Sequence, residues 1–402
     1  MGQDQCPVRP LFRRQGAHRA AGQFGRAGFL SPARDGVRRP ERCAAVLFGA
    51  GRGKRRLHPA GHAVRFGATI LDADGLRLSP EEKAFFRDAN PFGFILFARN
   101  IDTPDQVRGL CAEFRDCVGR DAPITIDQEG GRVQRLRGPI WREWLPPMEQ
   151  VARSGDHAVE AMYIRYRLIA HELHDLGIDS NCAPMVDVAG ADTHPFLTNR
   201  CYGTDPAAVA ALGRAVADGM LAGGVLPVLK HIPGHGRATM DSHFDLPHVS
   251  APRTELDTRD FAPFKALNDL PMGMTAHLVY DAIDDRPATL SPAMMRVIRE
   301  DIGFDNLIMT DDISMKALSG SVSELTRDAL AAGCDVVLHC NGTLEARRSV
   351  AEAAGEMSYA AQTRALRALN HRRAPDDIDI SALEAKLGGL LSGGGDIGQG
   401  HG

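Results

Sequence analysis

No run of apolar residues in this 402-residue chain approaches the ~20 that a membrane-spanning helix needs. The nearest approach to a secretory signal, Ala44-Ala45-Val46-Leu47-Phe48-Gly49-Ala50, is short, lies deep in the chain and lacks a cleavage site. These absences argue for a cytoplasmic protein with no membrane partner. The eight cysteines show no Cys-x-x-Cys pair and no regular spacing, so they read as buried thiols in a reducing compartment rather than as a disulfide framework. A phosphate-binding loop is lacking too. Gly49-Ala50-Gly51-Arg52-Gly53-Lys54 has Phe48 where that motif needs Gly and Arg55 where Ser or Thr would hold magnesium.

Charge is divided unevenly. Residues 1–65 hold thirteen arginines and one lysine against Asp4, Asp35 and Glu41, while the whole chain carries a net charge of -4. The body is therefore acidic, with a basic N-terminal extension. That extension lacks interleaved aromatics and any recognisable reading module, so it predicts no specific nucleic-acid partner. Rich in Arg, Gly and Ala and without a period of 2 or 3.6, it is expected not to bury enough apolar area to offset its ordering entropy. A disordered tail, an organelle transit peptide and residues upstream of the true translation start all fit that composition. The abrupt onset of pattern at Phe66 favours the last.

From Phe66 onward, short apolar runs alternate with longer amphipathic ones. Strands are expected at 68–71, 93–97, 124–127, 178–183, 225–230, 272–276, 307–310 and 335–339, and helices at 80–88, 104–118, 157–176, 206–222, 259–268, 292–302, 322–332 and 344–356. Eight apolar strands alternating with helices predict an α/β fold, a single-domain TIM-type (β/α)8 barrel over residues 66–376. Residues 377–402 are expected to form a C-terminal helix and a glycine-rich tail from Gly388 onward.

Polar residues gather where these strands end, the edge at which barrel enzymes do their chemistry. The densest stretch is 230–248, with four histidines, two aspartates and a lysine behind the apolar run 224–229. A lone loop histidine usually only satisfies a local hydrogen bond, but this clustering points to a site. Asp241 stands two residues from His243, close enough for a carboxylate to orient the imidazole as an acid/base pair. Asp311 and Asp312 follow the run 307–310; one carboxylate can cap the following turn, which leaves Asp311 as the candidate nucleophile toward an anomeric carbon. Asp127 and Arg135, eight residues apart across Gly130-Gly131, suit sugar hydroxyls, and the two glycines are expected to let the backbone approach a ligand. The adjacent donors Lys230 and His231 fit the same role, as does Arg200.

Together, 126–136, Lys230-His231-Ile232-Pro233-Gly234-His235-Gly236, Asp241-Ser242-His243, Met274-Thr275-Ala276-His277 and Thr310-Asp311-Asp312-Ile313-Ser314-Met315 resemble the bacterial β-N-acetylhexosaminidases of glycoside hydrolase family 3. The resemblance extends over about 66–374. It implies a single-domain barrel that removes terminal β-linked N-acetylglucosamine in the cytoplasm, with retention, chiefly from anhydromuropeptides during cell-wall recycling; a monomer with no cofactor and no metal is expected. By position it makes Asp311 the nucleophile, His243 the acid/base with Asp241 as its partner, and Asp127, Arg135, Arg200, Lys230 and His231 the sugar-binding set. Ile232 replaces the usual Phe, and Asn199-Arg200-Cys201-Tyr202-Gly203 the commoner Asp-Arg-Ser-Phe-Gly, which leaves the support of Arg200 open. The larger glucosidases of the family carry a second domain, for which this chain is expected to have no room. The competing reading is a metal-dependent barrel hydrolase with His231, His235, His243 and Asp311 as ligands, although no His-x-His stands at the first strand.

Overall fold

The computed structural model describes residues 65–238 and 246–392. All but Arg65 of the expected N-terminal extension, the end of the glycine-rich tail and both Asp241 and His243 lie outside the described residues. Arg65 already belongs to the body, through a 2.7 Å ion pair with Glu356.

Eight short strands pair in parallel and in chain order: β1 (Gly67–Leu71), β2 (Pro91–Leu96), β3 (Ile124–Ile126), β4 (Ser180–Asn181), β5 (Leu226–Ile232), β6 (Met272–Thr275), β7 (Leu307–Met309) and β8 (Val337–His339). The last returns to the first through Thr69↔Val337, Ile70↔Leu338 and Leu71↔His339. Between β7 and β8 the ring closes through the single bridge Met309↔Val336, where the Thr310 amide donates to the Val336 carbonyl at 3.1 Å. This is the expected (β/α)8 barrel, and each expected strand falls on an observed one.

The outer ring includes α1 (Pro80–Ala89), α2 (Pro104–Val118), α3 (Ala158–Asp175), α4 (Pro206–Ala222), α5 (Val322–Ala332) and α6 (Leu344–Ala354). Their starts are written locally. Ser79, Thr103, Asp205, Ser321 and Thr343 each accept a first-turn amide, and Pro occupies the opening of α1, α2 and α4. The continuous helix expected at 259–268 is instead a wide turn, Leu256–Asp260, followed by Ala262–Ala266. Pro263 has no amide to donate, so a helix begins at it rather than passing through it. Past the eighth unit, α7 (Tyr359–Leu369) brings Ala361, Ala365 and Ala368, with Met357, into the cluster that fills the barrel. Then α8 (Ile380–Ser392) continues through Gly388 and Gly389, where a glycine tail was expected, because Leu387 is buried and Leu383, Leu390 and Leu391 pack beside it.

A strand sends alternate side chains to opposite faces. Ile70, Ile95, Leu226, Val228, Met272, Met274, Leu307 and Met309 meet in the barrel interior, whereas Leu71, Phe94, Leu96, Leu229 and Ile232 face the helices. Continuing the inward stripe by two residues gives Lys230 after Leu226 and Val228, and Asp311 after Leu307 and Met309. The packing pattern of the core thus delivers charged groups over the barrel's mouth.

Candidate active site

The floor of the site is a chain of alternating charges. Arg135 Nη2 donates to Asp127 Oδ2 at 3.0 Å, and Lys230 Nζ donates to Asp127 Oδ1 at 3.0 Å. The same ammonium lies 2.5 Å from Glu129 Oε1. Glu129 in turn receives Arg200 through two bonds, Nε to Oε2 at 2.9 Å and Nη2 to Oε1 at 2.8 Å. Burial opposes ionisation of Asp127, but Lys230 and Arg135 hold its carboxyl well below the usual range. Burial likewise opposes Glu129, and Arg200 and Lys230 bring it down to about 2. Lys230 is itself desolvated, yet the two carboxylates push its ammonium upward. At neutral pH these carboxylates and the ammonium are all charged.

The turn beneath them is built inward. Arg165 donates to the carbonyls of Glu129 at 2.6 Å and Leu145 at 2.7 Å. A Cβ on Gly130 (φ 105) would run into Arg165, and one on Gly131 (φ 57) would press on Pro146. The two glycines therefore serve close packing within the protein rather than the ligand approach expected of them.

Histidines and a second set of acids form the wall. Asp187, fully buried, takes His231 Nδ1 at 2.7 Å on Oδ2 and the backbone amides of His231 and His235 on Oδ1. Burial, with Arg200 nearby, pushes His235 down to about 3, so it is neutral. His277 Nε2 lies 3.0 Å from the Asp312 carbonyl and Nδ1 lies 2.8 Å from Thr289 Oγ1. A carbonyl only accepts, so Nε2 carries a proton, and Thr289 donates its hydroxyl to the Ala276 carbonyl at 3.1 Å. Asp312 spends its carboxylate on Ser314, accepting the backbone amide at 3.0 Å and the hydroxyl at 2.8 Å. Among the described residues Asp311 accepts one bond, from the Asp312 amide at 2.8 Å. Burial alone would raise the Asp311 carboxyl; His277, that amide and Lys230 more than offset it and hold the group below the usual carboxylate range. The site thus presents a half-buried, ionised carboxylate with most of its lone pairs uncommitted among the described residues.

A cavity of about 500 Å³ opens onto both regions, a size typical of small-molecule sites. Asp127, Arg135, Arg200, Lys230, His231 and Asp311, six of the residues expected from sequence, all line it. Residues 65–369 match the glycosyl hydrolase family 3 N terminal domain. The chain belongs to this family. A β-hexosaminidase of Methylococcus capsulatus is 39% identical over 291 residues, 71% of this chain and 85% of that protein. Native NagZ from Neisseria gonorrhoeae superposes with a TM-score of 0.71 at 30% identity, covering 82% of this chain and 97% of that one. The same enzyme in complex with N-trifluoroacetyl-D-glucosamine matches with a TM-score of 0.71 at 29% identity and the same coverage. The family 3 enzyme class shared with these relatives is β-hexosaminidase. Membership favours the glycosidase over the metal-dependent hydrolase.

Asp241 and His243 are the two expected site residues not described. The flanks of their loop are anchored. The Ala238 carbonyl accepts the His194 amide at 3.0 Å, the Pro247 carbonyl accepts the Val279 amide at 2.9 Å, and Tyr280 donates its hydroxyl to the Gly234 carbonyl. Glu129 and Asp187 are site residues that the sequence reading did not single out. Glu129 answers the open question about Arg200, whose support comes from this bidentate pair rather than from its altered neighbours in 199–203. The available signal was an acid inside an otherwise apolar run: Asp187 sits among Met185, Val186 and Val188, and a buried acid needs a partner.

Proposed function

We propose that this family 3 enzyme is a retaining exo-glycosidase that removes terminal β-linked N-acetylglucosamine from anhydromuropeptides in peptidoglycan recycling, acting as a cytoplasmic monomer. In the first step His243, protonated and oriented by Asp241, gives its proton to the glycosidic oxygen while Asp311 attacks the anomeric carbon and forms a glycosyl ester. In the second, neutral His243 takes a proton from water as that oxygen attacks the same carbon. This releases the sugar with retained configuration and restores both groups. Asp127, Arg135, Arg200, Lys230 and His231 hold the sugar hydroxyls.

The observation that carries this reading is the ionised carboxylate of Asp311, facing a cavity whose floor is a chain of paired charges. The glucosamine derivative bound by the Neisseria gonorrhoeae relative supports the sugar. Arg132 supports an acidic aglycone: it lines the cavity, stacks 4.0 Å over the Phe196 ring, and has no carboxylate partner among the described residues. The six described cysteines, all free and buried, suit a reducing compartment.

The test is chromophore release from an aryl β-N-acetylglucosaminide with chelator present. The wild type should turn over, and Asp311→Asn should lose at least about a thousandfold in kcat while still binding sugar. Intact-protein mass spectrometry during turnover of a slow substrate should show a glycosyl adduct in the wild type and none in the variant. Turnover by Asp311→Asn would sink the assignment, and a wild type silent until metal is added would restore the metal-hydrolase reading.

A further inference from the structure

The segment leaving β4 extends its pairing with β5. The Lys230 amide donates to the Pro184 carbonyl at 2.9 Å, and the Val186 amide to the Lys230 carbonyl at 2.9 Å. That register sets Asp187 beside the His231 ring. The carboxylate is wholly buried and its two oxygens have separate duties. Oδ1 receives the backbone amides of His231 at 3.3 Å and His235 at 2.6 Å, while Oδ2 lies 2.7 Å from His231 Nδ1. An ionised carboxylate has no proton to give, so Nδ1 must be the donor. The other ring nitrogen has no hydrogen-bond partner among the described residues, and His231 lines the cavity.

We propose that Asp187 is a positioning residue that fixes His231 in its Nδ1–H tautomer, so that Nε2 accepts the proton of one hydroxyl of the bound sugar. This rests on the glycosidase reading above and assigns one polarity within its binding set. A sugar hydroxyl both donates and accepts. Lys230, Arg135 and Arg200 are obligate donors, and Asp127, the carboxylate of that set, already receives two of them. His231 Nε2 supplies an uncommitted acceptor beside the Lys230 donor. A hydroxyl gripped from both sides is distinguished from one that is absent or inverted.

Asp187→Asn makes the idea testable because the fold dictates how the amide sits. Two backbone amides converge where Oδ1 lies, so the carboxamide oxygen must stay there and its NH2 must face His231 Nδ1. The ring can then only accept at Nδ1, and the proton moves to Nε2. Long-range 1H–15N spectra of protein labelled at histidine nitrogen, with His231 assigned by loss of its signals in His231→Gln, should show a protonated Nδ1 and bare Nε2 in the wild type, and the reverse in Asp187→Asn. Kinetically, kcat/KM should fall about ten- to a hundredfold, chiefly through KM. With monodeoxy aryl N-acetylglucosaminides, removal of one particular hydroxyl should cost the wild type about tenfold and the variant little.

A merely structural aspartate would lower stability without moving the tautomer or producing a hydroxyl-specific loss. The proposal is overturned if wild-type His231 carries its proton on Nε2 or on both nitrogens, or if every deoxy substrate affects wild type and variant alike. The wild-type spectrum needs no mutant to fold and no substrate to turn over. Absence of glycosidase activity would therefore refute the functional reading separately from the tautomer.

Discussion

Two sets of carboxylates in this site are ionised for different reasons. Asp127 and Glu129 are charged by contact, each with cations at hydrogen-bond distance that occupy its lone pairs. Asp311 is charged by field. Among the described residues it is bonded only to the Asp312 amide and ion-paired to no cation, and its ionisation is favoured by His277 and Lys230. Contact pairing makes a group rigid and electrostatically spent, which suits a binding floor. Charging at a distance leaves lone pairs available, which a nucleophile needs. The distinction predicts that the two sets respond oppositely to neutralisation: Asp311→Asn should abolish turnover while shifting unfolding free energy by no more than about 1 kcal/mol, since no ion pair is broken. Urea unfolding of the variant beside its rate measurement checks both halves.

Neutralising the contact-paired acid should do the reverse. Glu129→Gln leaves Lys230 and Arg200, 2% and 7% exposed, short of a buried counter-charge. Breaking a buried pair by removing one partner costs about 3–5 kcal/mol, so a large drop in the urea midpoint should accompany a raised KM. An unchanged midpoint would mean that Lys230 and Arg200 do not depend on Glu129, and the comparison would fail at its structural end.

Acid should sharpen the contrast. The Glu129 carboxyl is lowered from an ordinary 4.5 to about 2. A carboxylate with a depressed folded-state value contributes stability that is whole above its unfolded value and is lost as pH falls through the folded one. The stability gap between wild type and Glu129→Gln should therefore be flat above about pH 5 and narrow between about 4.5 and 2. Thermal melts across that window measure it. Asp311 is also lowered, so an acid limb of kcat/KM lying above the ordinary carboxylate range would belong to another group.

The legible part of this protein was the part written in local patterns. The apolar runs placed every barrel strand, and the period of two in Leu226, Val228 and Lys230 already aims the lysine inward. Asp127 and Arg135 share one loop, so their pairing could be guessed from a spacing of eight. Glu129 meets Arg200 across 71 residues, and Asp187 meets His231 across 44. Those partners are set by which strands adjoin in the ring, and no periodicity announces that. The glycines mislead for the same reason: Gly130 is shaped by Arg165, and Gly388 and Gly389 are carried in α8 by the leucines around them. Two mid-helix glycines cost roughly 1 kcal/mol each relative to alanine, and tertiary packing overrides that weak preference.

The smallest expected effect lies at the lip of the cavity, where the comparison gains a third member. Arg132 is a cation whose side chain pairs with no carboxylate among the described residues and rests on the Phe196 face instead. Arg135, Arg200 and Lys230 are committed to the floor, so a charged aglycone approaching the lip meets Arg132 as the available guanidinium. An exposed charge pair contributes about 0.2–1 kcal/mol, so Arg132→Ala should lower kcat/KM on a carboxylate-bearing muramyl aglycone only about two- to fivefold. A neutral aryl aglycone should be affected less than that, and stability should stay within about 0.5 kcal/mol. Raising salt should erase the wild type's advantage on the acidic substrate, because surface pairs are screened at a Debye length of about 8 Å in physiological salt. Equal losses on acidic and neutral aglycones, insensitive to salt, would make Arg132 a packing partner of Phe196 and return the aglycone preference to some other part of the mouth.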